Sequence, residues 1–261
     1  MNITFYKYQG TGNDFVILDN RKGEFSALNN TQVEFICRRR FGVGADGMML
    51  LNDKPGYDFE MKYYNSDGRE SSMCGNGGRC MVKFAYYLGI HKPLYQFLAT
   101  DGRHEAEIDL NGWVRLKMQD VHEVETRYEE YILNTGSPHF VKFTNEVRDM
   151  NVKEKGREIR NSKEFAAEGI NVNFVEHLNE HTIFVRTYER GVEDETLSCG
   201  TGVVASALMA AHNENGFNQV DVYTPGGKLS VEFDLAQENQ YTNIWLCGPA
   251  EFVFKGEIEV E

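Results

Sequence analysis

No segment of this sequence is apolar for long enough to cross a membrane. The longest candidate, residues 203–211, is far shorter than the about 20 residues that a transmembrane helix needs. Residues 1–7 lack the basic start and the apolar stretch of a secretion signal. Basic residues are also scarce, because 27 Lys and Arg face 40 Asp and Glu, a formal net charge of -13. Such an acidic chain is poorly suited to nucleic acid or to an anionic membrane, so we expect neither as a partner.

Cysteine is sparse, and its spacing indicates neither a disulfide framework nor a metal site. The five cysteines are an odd number and are scattered, which is typical of free thiols in a reducing compartment. Cys74 and Cys80 are six residues apart, with no close pair of cysteines or histidines beside them. The seven histidines form no ligand-like cluster. We therefore predict a cytoplasmic protein without a bound metal.

Two segments look like nucleotide-binding loops, but neither has the context that such a loop needs. Residues 42–47 match the letters of the dinucleotide fingerprint, yet three arginines precede them and a strand-like run, 48–51, follows. A dinucleotide loop instead follows a buried strand and opens a helix. Gly227-Lys228 lacks the following Ser or Thr and the upstream glycine of a phosphate loop. No nucleotide cofactor is predicted.

What the chain does contain is two copies of one unit, related by an offset of about 125 residues. Four segments of the first half match four of the second half in the same order: 11–16 with 135–141, 61–65 with 184–188, 74–77 with 199–202, and 100–102 with 224–226. Any one of these matches is weak, but four at one offset indicate a duplication. The boundary between the units is expected in the polar stretch 118–129.

Each unit reads as several strands, one helix and then a hairpin. The predicted strands are 3–8, 15–18, 59–64, 95–99, 105–110 and 114–118 in the first unit, and 220–223, 229–235 and 243–247 in the second. An additional short helix is predicted over 32–40. Thr31 and Glu34 would form its capping box, and Gly42 follows its end.

A longer helix is predicted after each C-G-x-G segment. The first should end near Leu88, with Gly89 beyond it. The second, 203–211, is apolar on nearly every side, so it should be buried all round. A helix enclosed by the strands of its own unit fits that pattern.

Cys74 and Cys199 occupy the same position in the two units, just before these helices. A helix N-terminus offers free backbone N–H groups and a partial positive charge, which lower the pKa of a thiol and attract a carboxylate. The glycines that follow each cysteine allow a ligand to approach the backbone closely. For Cys37, Cys80 and Cys247 we predict the ordinary role of a buried core residue.

Two matched and activated cysteines indicate a two-base proton transfer. One thiolate can remove a proton from one face of a carbon, while a thiol delivers a proton to the other face. Such a reaction inverts a stereocentre without a cofactor, and it needs one thiolate and one thiol at the same time. The interpretation is therefore a cofactor-independent amino-acid epimerase.

The chain resembles the diaminopimelate epimerase family over nearly its whole length. The resemblance is carried by residues 12–15, 41–47, 65–68, 74–77, 137–139, 171, 188–191, 195–196 and 199–202. It implies interconversion of LL- and meso-diaminopimelate, a small amino-acid substrate on the route to lysine and peptidoglycan. It implies neither pyridoxal phosphate nor a metal, and it favours a homodimer.

The resemblance also implies a fold. This is an α/β (α+β) architecture of two pseudo-symmetric domains, each a barrel-like β-sheet wrapped around a central helix, with the active site in the cleft between them. The N-terminal domain would comprise residues 1–118 together with about 249–261, and the C-terminal domain residues 119–248.

The family's functional residues carry over by position. Cys74 and Cys199 would be the acid–base pair, and His139 and Glu189 would help to set the placement of the proton. The reacting carboxylate would be held by backbone N–H groups of Gly75, Asn76, Gly200 and Thr201. The rest of the substrate would be bound by Asn13, Asn65, Asn171, Glu189 and Arg190. Arg190 suits a distal carboxylate, because a guanidinium can fork onto both of its oxygens.

Two positions depart from the family pattern. Gly47 stands where the family often has a glutamine that contacts the substrate, and Ser137 stands where it often has asparagine. Both changes shorten a polar side chain and leave space that water or a neighbouring group can fill.

Two other functions stay open at this stage. A related two-cysteine racemase for proline or hydroxyproline would use the same chemistry, although Glu189-Arg190 favours a longer substrate with a second amino-acid head. A non-catalytic thiol redox or binding protein is the alternative from another class. It is disfavoured because the chain has no close C-x-x-C pair.

Overall fold

The computed structural model describes residues 1–211, 215–237 and 239–261. The chain divides into two compact units. Unit 1 comprises Met1–Leu116 with Gly248–Glu261, and unit 2 comprises Lys117–Cys247. Within the described residues, every helix is too short or too polar to span a bilayer.

The structure is mostly β-sheet with few helices, as an α+β fold predicts. The strands are β1 Asn2–Gly10, β2 Asn13–Asp19, β3 Gly47–Asn52, β4 Phe59–Asn65, β5 Glu70–Ser71, β6 Tyr95–Ala99, β7 Gly102–Ile108, β8 Val114–Lys117, β9 Val124–Arg127, β10 Glu130–Asn134, β11 Pro138–Phe143, β12 Asn171–Asn179, β13 Thr182–Glu189, β14 Asp194–Thr196, β15 Gly216–Thr224, β16 Gly227–Gln237, β17 Gln240–Gly248 and β18 Glu251–Glu259. The helices are α1 Asn30–Cys37, α2 Gly75–Tyr87, α3 Val152–Arg160 and α4 Gly200–Ala210, with a 3₁₀ turn at Val147–Asp149.

The two units share one strand order. In unit 1, β18, β1 and β2 pair antiparallel, β2 and β3 pair parallel, β3 and β4 antiparallel, β4 and β6 parallel, and β6, β7 and β8 antiparallel. In unit 2, β9, β10, β11, β12, β13, β15, β16 and β17 follow with the same sequence of parallel and antiparallel pairs. The repeat detected in the sequence is thus a repeat of topology.

The longest buried helix of each unit lies against that unit's own strands. Helix α2 packs on β1, β2, β3 and β4, and α4 packs on β11, β12, β13 and β15. Residues of α4 such as Val203, Val204 and Leu208 are fully buried within the core of unit 2. The prediction of a helix buried all round is confirmed. Its start is three residues earlier than predicted, because the helix already begins after Cys199.

The predicted start and end of the first short helix are wrong. Asn29, not Thr31, is the N-cap, and its capping box is formed with Gln32. An asparagine side chain reaches the third helical N–H as well as threonine does, and here it lies two residues earlier. The helix ends at Cys37, because the chain leaves it at Arg38 in an extended conformation and Arg40 adopts a left-handed one. Helix α3 was not predicted.

Candidate active site

Each of the two matched cysteines is the N-cap of its buried helix. Cys74 precedes α2 and Cys199 precedes α4, both with extended backbone and with their carbonyls accepting the first intrahelical hydrogen bond. The N–H groups of the first turn therefore lie outside the helical ladder. Cys74 is half-buried and Cys199 is 7% exposed. The predicted placement at two helix starts is confirmed.

In unit 1, Asn13 at the start of β2 lies against Cys74. The Sγ atom of Cys74 is 3.5 Å from Asn13 Oδ1, and Asn76 Nδ2 donates to the same oxygen at 3.4 Å. On its other side, Asn13 Nδ2 donates to Asp46 Oδ2 at 2.6 Å. Asn13 and Asn76, both predicted site residues, therefore lie together beside the thiol.

A cluster of charged side chains lies next to Asn13. Asp14 is paired with Lys7 at 2.7 Å and with Arg39 at 2.6 Å, and Arg39 also reaches Asp46 at 2.8 Å. Burial opposes ionisation of Asp14, but hydrogen bonds from Arg39 and Lys7 outweigh it and lower its pKa to about 2. The cluster thus holds the Asn13–Asp46 pair in a defined geometry.

Arg79 is a functional-site neighbour that the sequence did not reveal. It is fully buried in α2, where burying a charge is costly unless it is hydrogen-bonded. Its Nη2 donates to Asn76 Oδ1 at 3.1 Å and to Thr11 Oγ1 at 3.2 Å, and its Nη1 donates to the Gly75 carbonyl at 3.3 Å. The sequence feature that could have identified Arg79 is a basic residue within a helix that is expected to be buried.

The space beside Gly47 is filled by an aromatic ring. A methyl group on Gly47 would lie 2.4 Å from Tyr63 Cε2 and 2.9 Å from the Tyr63 hydroxyl. Gly47 pairs with Asn65 across β3 and β4, and Asn65 is exposed at the end of its strand. A larger side chain at position 47 would therefore clash with the Tyr63 ring as it lies here.

In unit 2, His139 and Thr201 connect to Cys199. His139 Nε2 lies 2.9 Å from Thr201 Oγ1, which lies 3.5 Å from Cys199 Sγ. His139 is fully buried, and burial together with the charge of Arg190 lowers its pKa to about 3. The imidazole is therefore neutral at neutral pH.

Asn173 on β12 holds the other nitrogen of this histidine. Its Nδ2 lies 3.0 Å from His139 Nδ1 and donates to the Phe140 carbonyl at 3.0 Å, while its Oδ1 accepts from Thr187 at 2.9 Å. The sequence analysis did not single it out. The available signal was an asparagine two residues after Asn171, alternating with the apolar residues Val172 and Phe174, which places both asparagines on one face of the strand.

Asn171 and Ser137 form a small network under Arg190. Asn171 Nδ2 donates to Ser137 Oγ at 2.8 Å and to the Pro138 carbonyl at 3.0 Å, and its Oδ1 accepts from the Arg190 backbone at 2.8 Å. Arg190 is exposed, with Nη2 3.4 Å from Ser137 Oγ and Nη1 donating to the Glu168 carbonyl at 3.1 Å. Asn171 thus positions the Arg190 loop, and Ser137 supplies the oxygen that both side chains contact.

Glu189 is the last residue of β13 and faces β14. Its Oε2 accepts a hydrogen bond from Thr196 Oγ1 at 2.9 Å. The Glu189 side chain is half-buried. The carboxylate therefore lies next to the segment that leads into Cys199.

The three remaining cysteines are core residues, as predicted. Cys37, Cys80 and Cys247 are all buried. Burial raises the pKa of Cys37 and of Cys80 to about 12, so both stay protonated at neutral pH. Cys37 and Cys80 are therefore unsuited to acid–base work.

Sequence comparisons identify the family. A statistical model of diaminopimelate epimerase matches residues 5–124 and 131–253. A diaminopimelate epimerase of Flavobacterium psychrophilum is 49% identical over 255 residues, covering 97% of this chain and 99% of the relative. Another, of Chlorobaculum tepidum, is 41% identical over 259 residues, covering 95% and 98%.

Solved structures share the fold at low sequence identity. A PhzF-family phenazine biosynthesis protein of Bacillus anthracis superposes with a TM-score of 0.78 at 14% identity, covering 99% of both chains. A probable proline racemase of Agrobacterium radiobacter gives 0.69 at 14% identity, covering 99% of this chain and 93% of that one. At such identities the likeness concerns the fold alone. From the sequence matches, together with the paired N-cap cysteines, it follows that this chain belongs to the diaminopimelate epimerase family.

Proposed function

We propose that this protein interconverts LL- and meso-diaminopimelate without a cofactor, with Cys74 and Cys199 as the acid–base pair. The observation that carries the proposal is the matched placement of these two cysteines, each at the N-cap of the buried helix of its unit. The names of the relatives at 49% and 41% identity support the substrate. The product of this reaction is a precursor of lysine and of peptidoglycan.

The reaction needs two sulfurs acting on opposite faces of one α-carbon. One cysteine, as thiolate, removes the α-proton and becomes a thiol, while the electron pair stays on the carbon. The other cysteine, as thiol, then protonates that carbon from the opposite face and becomes a thiolate. The number of protons on the pair is unchanged, so the enzyme returns through the reverse reaction or by proton exchange with water.

The substrate's charged groups find matching partners in the two units. Gly75, Asn76, Gly200 and Thr201 open helices α2 and α4, where the first-turn N–H groups lie outside the helical ladder and the helix dipole favours a carboxylate. The exposed guanidinium of Arg190 suits the distal carboxylate. Glu189 and Asn65 provide oxygens for ammonium groups, and Asn13 would do so only by exchanging the contacts that its oxygen makes with Cys74 and Asn76.

Solvent deuterium tests the function directly. The protein, without added cofactor, is incubated with LL-diaminopimelate in D₂O. The products are separated by chiral chromatography, and their masses are measured by mass spectrometry. We expect meso-diaminopimelate carrying one α-deuterium, because the delivered proton comes from a thiol that exchanges with water. L-Proline and trans-4-hydroxy-L-proline serve as control substrates. Inversion of proline without inversion of diaminopimelate would contradict the assignment of the substrate.

We also propose that the protein works in the cytoplasm. None of its five cysteines is in a disulfide, and two of them lie at helix N-termini, a position that favours a reactive thiol. A reducing compartment preserves such thiols, whereas an oxidising one would consume them.

We propose further that the protein forms a homodimer through β18. Three successive apolar side chains of this strand, Phe252, Val253 and Phe254, are each between 44 and 51% exposed. Exposed apolar strands favour association. Sedimentation velocity should give a dimer for the native chain and a shift towards monomer for Val253→Lys. A native chain that sediments as a monomer at micromolar concentration would refute the proposal.

A further inference from the structure

Two side chains that the proposed mechanism does not use hold Arg190 from both of its ends. We propose that Glu193 and Arg160 are positioning residues for Arg190. Glu193 fixes the backbone of the turn that carries Arg190, and Arg160 ties this turn to the segment that contacts the Arg190 guanidinium. The inference rests on the proposed function, in which Arg190 binds the distal carboxylate of the substrate. Both residues act on the substrate only through Arg190.

The turn between β13 and β14, residues 190–193, has an unusual residue at its end. Counted between equivalent strand pairs, the turn is one residue longer than the turn between β4 and β5 of unit 1. The shorter turn ends on Gly68, whose φ of 83° is left-handed. Here Glu193 takes the equivalent position with a φ of 57°. A left-handed backbone is uncommon for a residue with a side chain, so contacts of the Glu193 side chain must compensate for it.

The Glu193 carboxylate makes those contacts on two sides. Its Oε1 accepts from the Gly191 backbone N–H at 3.1 Å, and its Oε2 accepts from the Tyr188 hydroxyl at 3.2 Å. Tyr188 is 1% exposed and belongs to the core of unit 2, so it is a rigid anchor. The hydrogen bond from Gly191, and after it the charge of Arg160, outweigh burial and lower the pKa of Glu193. The carboxylate is therefore ionised at neutral pH and fixes the turn to the core.

Arg160, the last residue of α3, connects this carboxylate to a second segment, residues 165–169. Its Nε forms an ion pair with Glu193 Oε1 at 3.4 Å, and its Nη1 donates to the Phe165 carbonyl at 3.5 Å. The backbone of Gly169 lies directly against the guanidinium, because a methyl group on Gly169 would lie 2.7 Å from Arg160 Cζ. The guanidinium thus packs between the turn and the segment.

The same segment contacts the other end of Arg190. Arg190 Nη1 donates to the Glu168 carbonyl at 3.1 Å, while the Arg190 backbone N–H donates to Asn171 Oδ1 at 2.8 Å. Arg160 therefore contacts both the turn that holds the Arg190 backbone and the segment that holds its guanidinium. An exposed arginine has many rotamers, and ordering it in advance lowers the entropic cost of binding a carboxylate.

Hydrogen–deuterium exchange of the ligand-free protein measures the order of the turn without any substrate. Mass spectrometry follows the peptide that contains Gly191 in the native chain, in Glu193→Asn and in Arg160→Gln. Asparagine tolerates a left-handed backbone but is too short to keep the contacts of glutamate. We expect exchange about threefold faster or more in both variants, the lower end of the coupling within one hydrogen-bond network. Circular dichroism and thermal unfolding check that each variant is folded.

Steady-state kinetics with LL-diaminopimelate measure the consequence for binding. Glu193→Asn and Arg160→Gln should each raise KM by roughly threefold or more and leave kcat within about twofold of the native value. The reason is that Arg190 binds the end of the substrate that is remote from the reacting carbon. A merely destabilised protein would instead contain less active enzyme and show a lower kcat. Arg190→Ala is measured alongside.

Two further variants are matched controls. Glu193→Gln keeps the length of the side chain, and its amide oxygen can still accept from Gly191, so most of the native exchange and KM should return. Lys153→Gln removes a different ion pair between α3 and this region, the one that Lys153 forms with Asp194 just beyond the turn. It should leave exchange and KM close to native.

The outcomes are distinct. Native-like exchange in both Glu193→Asn and Arg160→Gln overturns the proposal, and so does a Glu193→Gln variant that is no better than Glu193→Asn. A Lys153→Gln variant as impaired as Arg160→Gln also overturns it. Faster exchange with an unchanged KM overturns it if Arg190→Ala impairs the enzyme. If Arg190→Ala has no effect either, the proposed contact between Arg190 and the substrate fails, while the positioning of Arg190 is upheld.

Discussion

Replacing either Cys74 or Cys199 with alanine is expected to abolish the interconversion of LL- and meso-diaminopimelate. In the proposed mechanism each sulfur supplies one of the two proton transfers, so the loss should be at least the roughly 10²- to 10⁴-fold typical of a general acid or base. Chiral separation of products over time measures it. Cys37→Ala is the control, because Cys37 is buried in the core of unit 1 and stays protonated.

Each single-cysteine variant should still exchange the α-proton of one diaminopimelate isomer with solvent. In Cys74→Ala, Cys199 remains as a base and can wash deuterium into the isomer that presents its α-proton to it, without inversion. Cys199→Ala should do the same for the opposite isomer, with Cys74 as the base. A Cys199→Ala enzyme that inverts diaminopimelate at the native rate would rule out the two-thiol mechanism.

Gly202→Ala is expected to destabilise unit 2 and to disturb the contact between Asn173 and His139. A methyl group there would lie 2.3 Å from Asn173 Oδ1 and 3.3 Å from His139 Cε1, so Asn173 must leave its place against the histidine. Overpacking of this kind costs about 1–3 kcal/mol, and alanine's better helix propensity returns less than 1 kcal/mol. We expect a lower melting temperature and a kcat/KM reduced by roughly tenfold or more, a barrier increase of about 1.4 kcal/mol.

Gly77→Ala is the matched control, because Gly77 holds the same position in unit 1 that Gly202 holds in unit 2. Its added methyl group would meet the flexible end of Met49 at 3.2 Å, and a thioether can shift by a few tenths of an ångström. The loss of activity should therefore be clearly smaller than in Gly202→Ala. Equal losses in the two variants would show that the clash with Asn173 is not the cause.

Much of the fold was predictable because it follows from local patterns. The apolar residues of α4 predict burial on every side, and Gly89 marks the end of α2. The duplication predicts two like units, and the structure shows the same pairing order in both. The cap of α1 was predicted wrongly, since Asn29 and Thr31 are both good N-cap residues and local sequence does not choose between them.

The sequence alone was sufficient to place two cysteines at two helix starts, because a C-G-x-G segment before an apolar helix is a local signal. Only the tertiary structure decided what each sulfur faces. Asp46, Asn173, Tyr63 and the buried Arg79 reach their partners across strands far apart in the chain, and no local pattern records those contacts. The polar groups beside each sulfur are held mostly by hydrogen bonds between residues that are distant in the chain. Such bonds exist only once the sheet has folded around its helix.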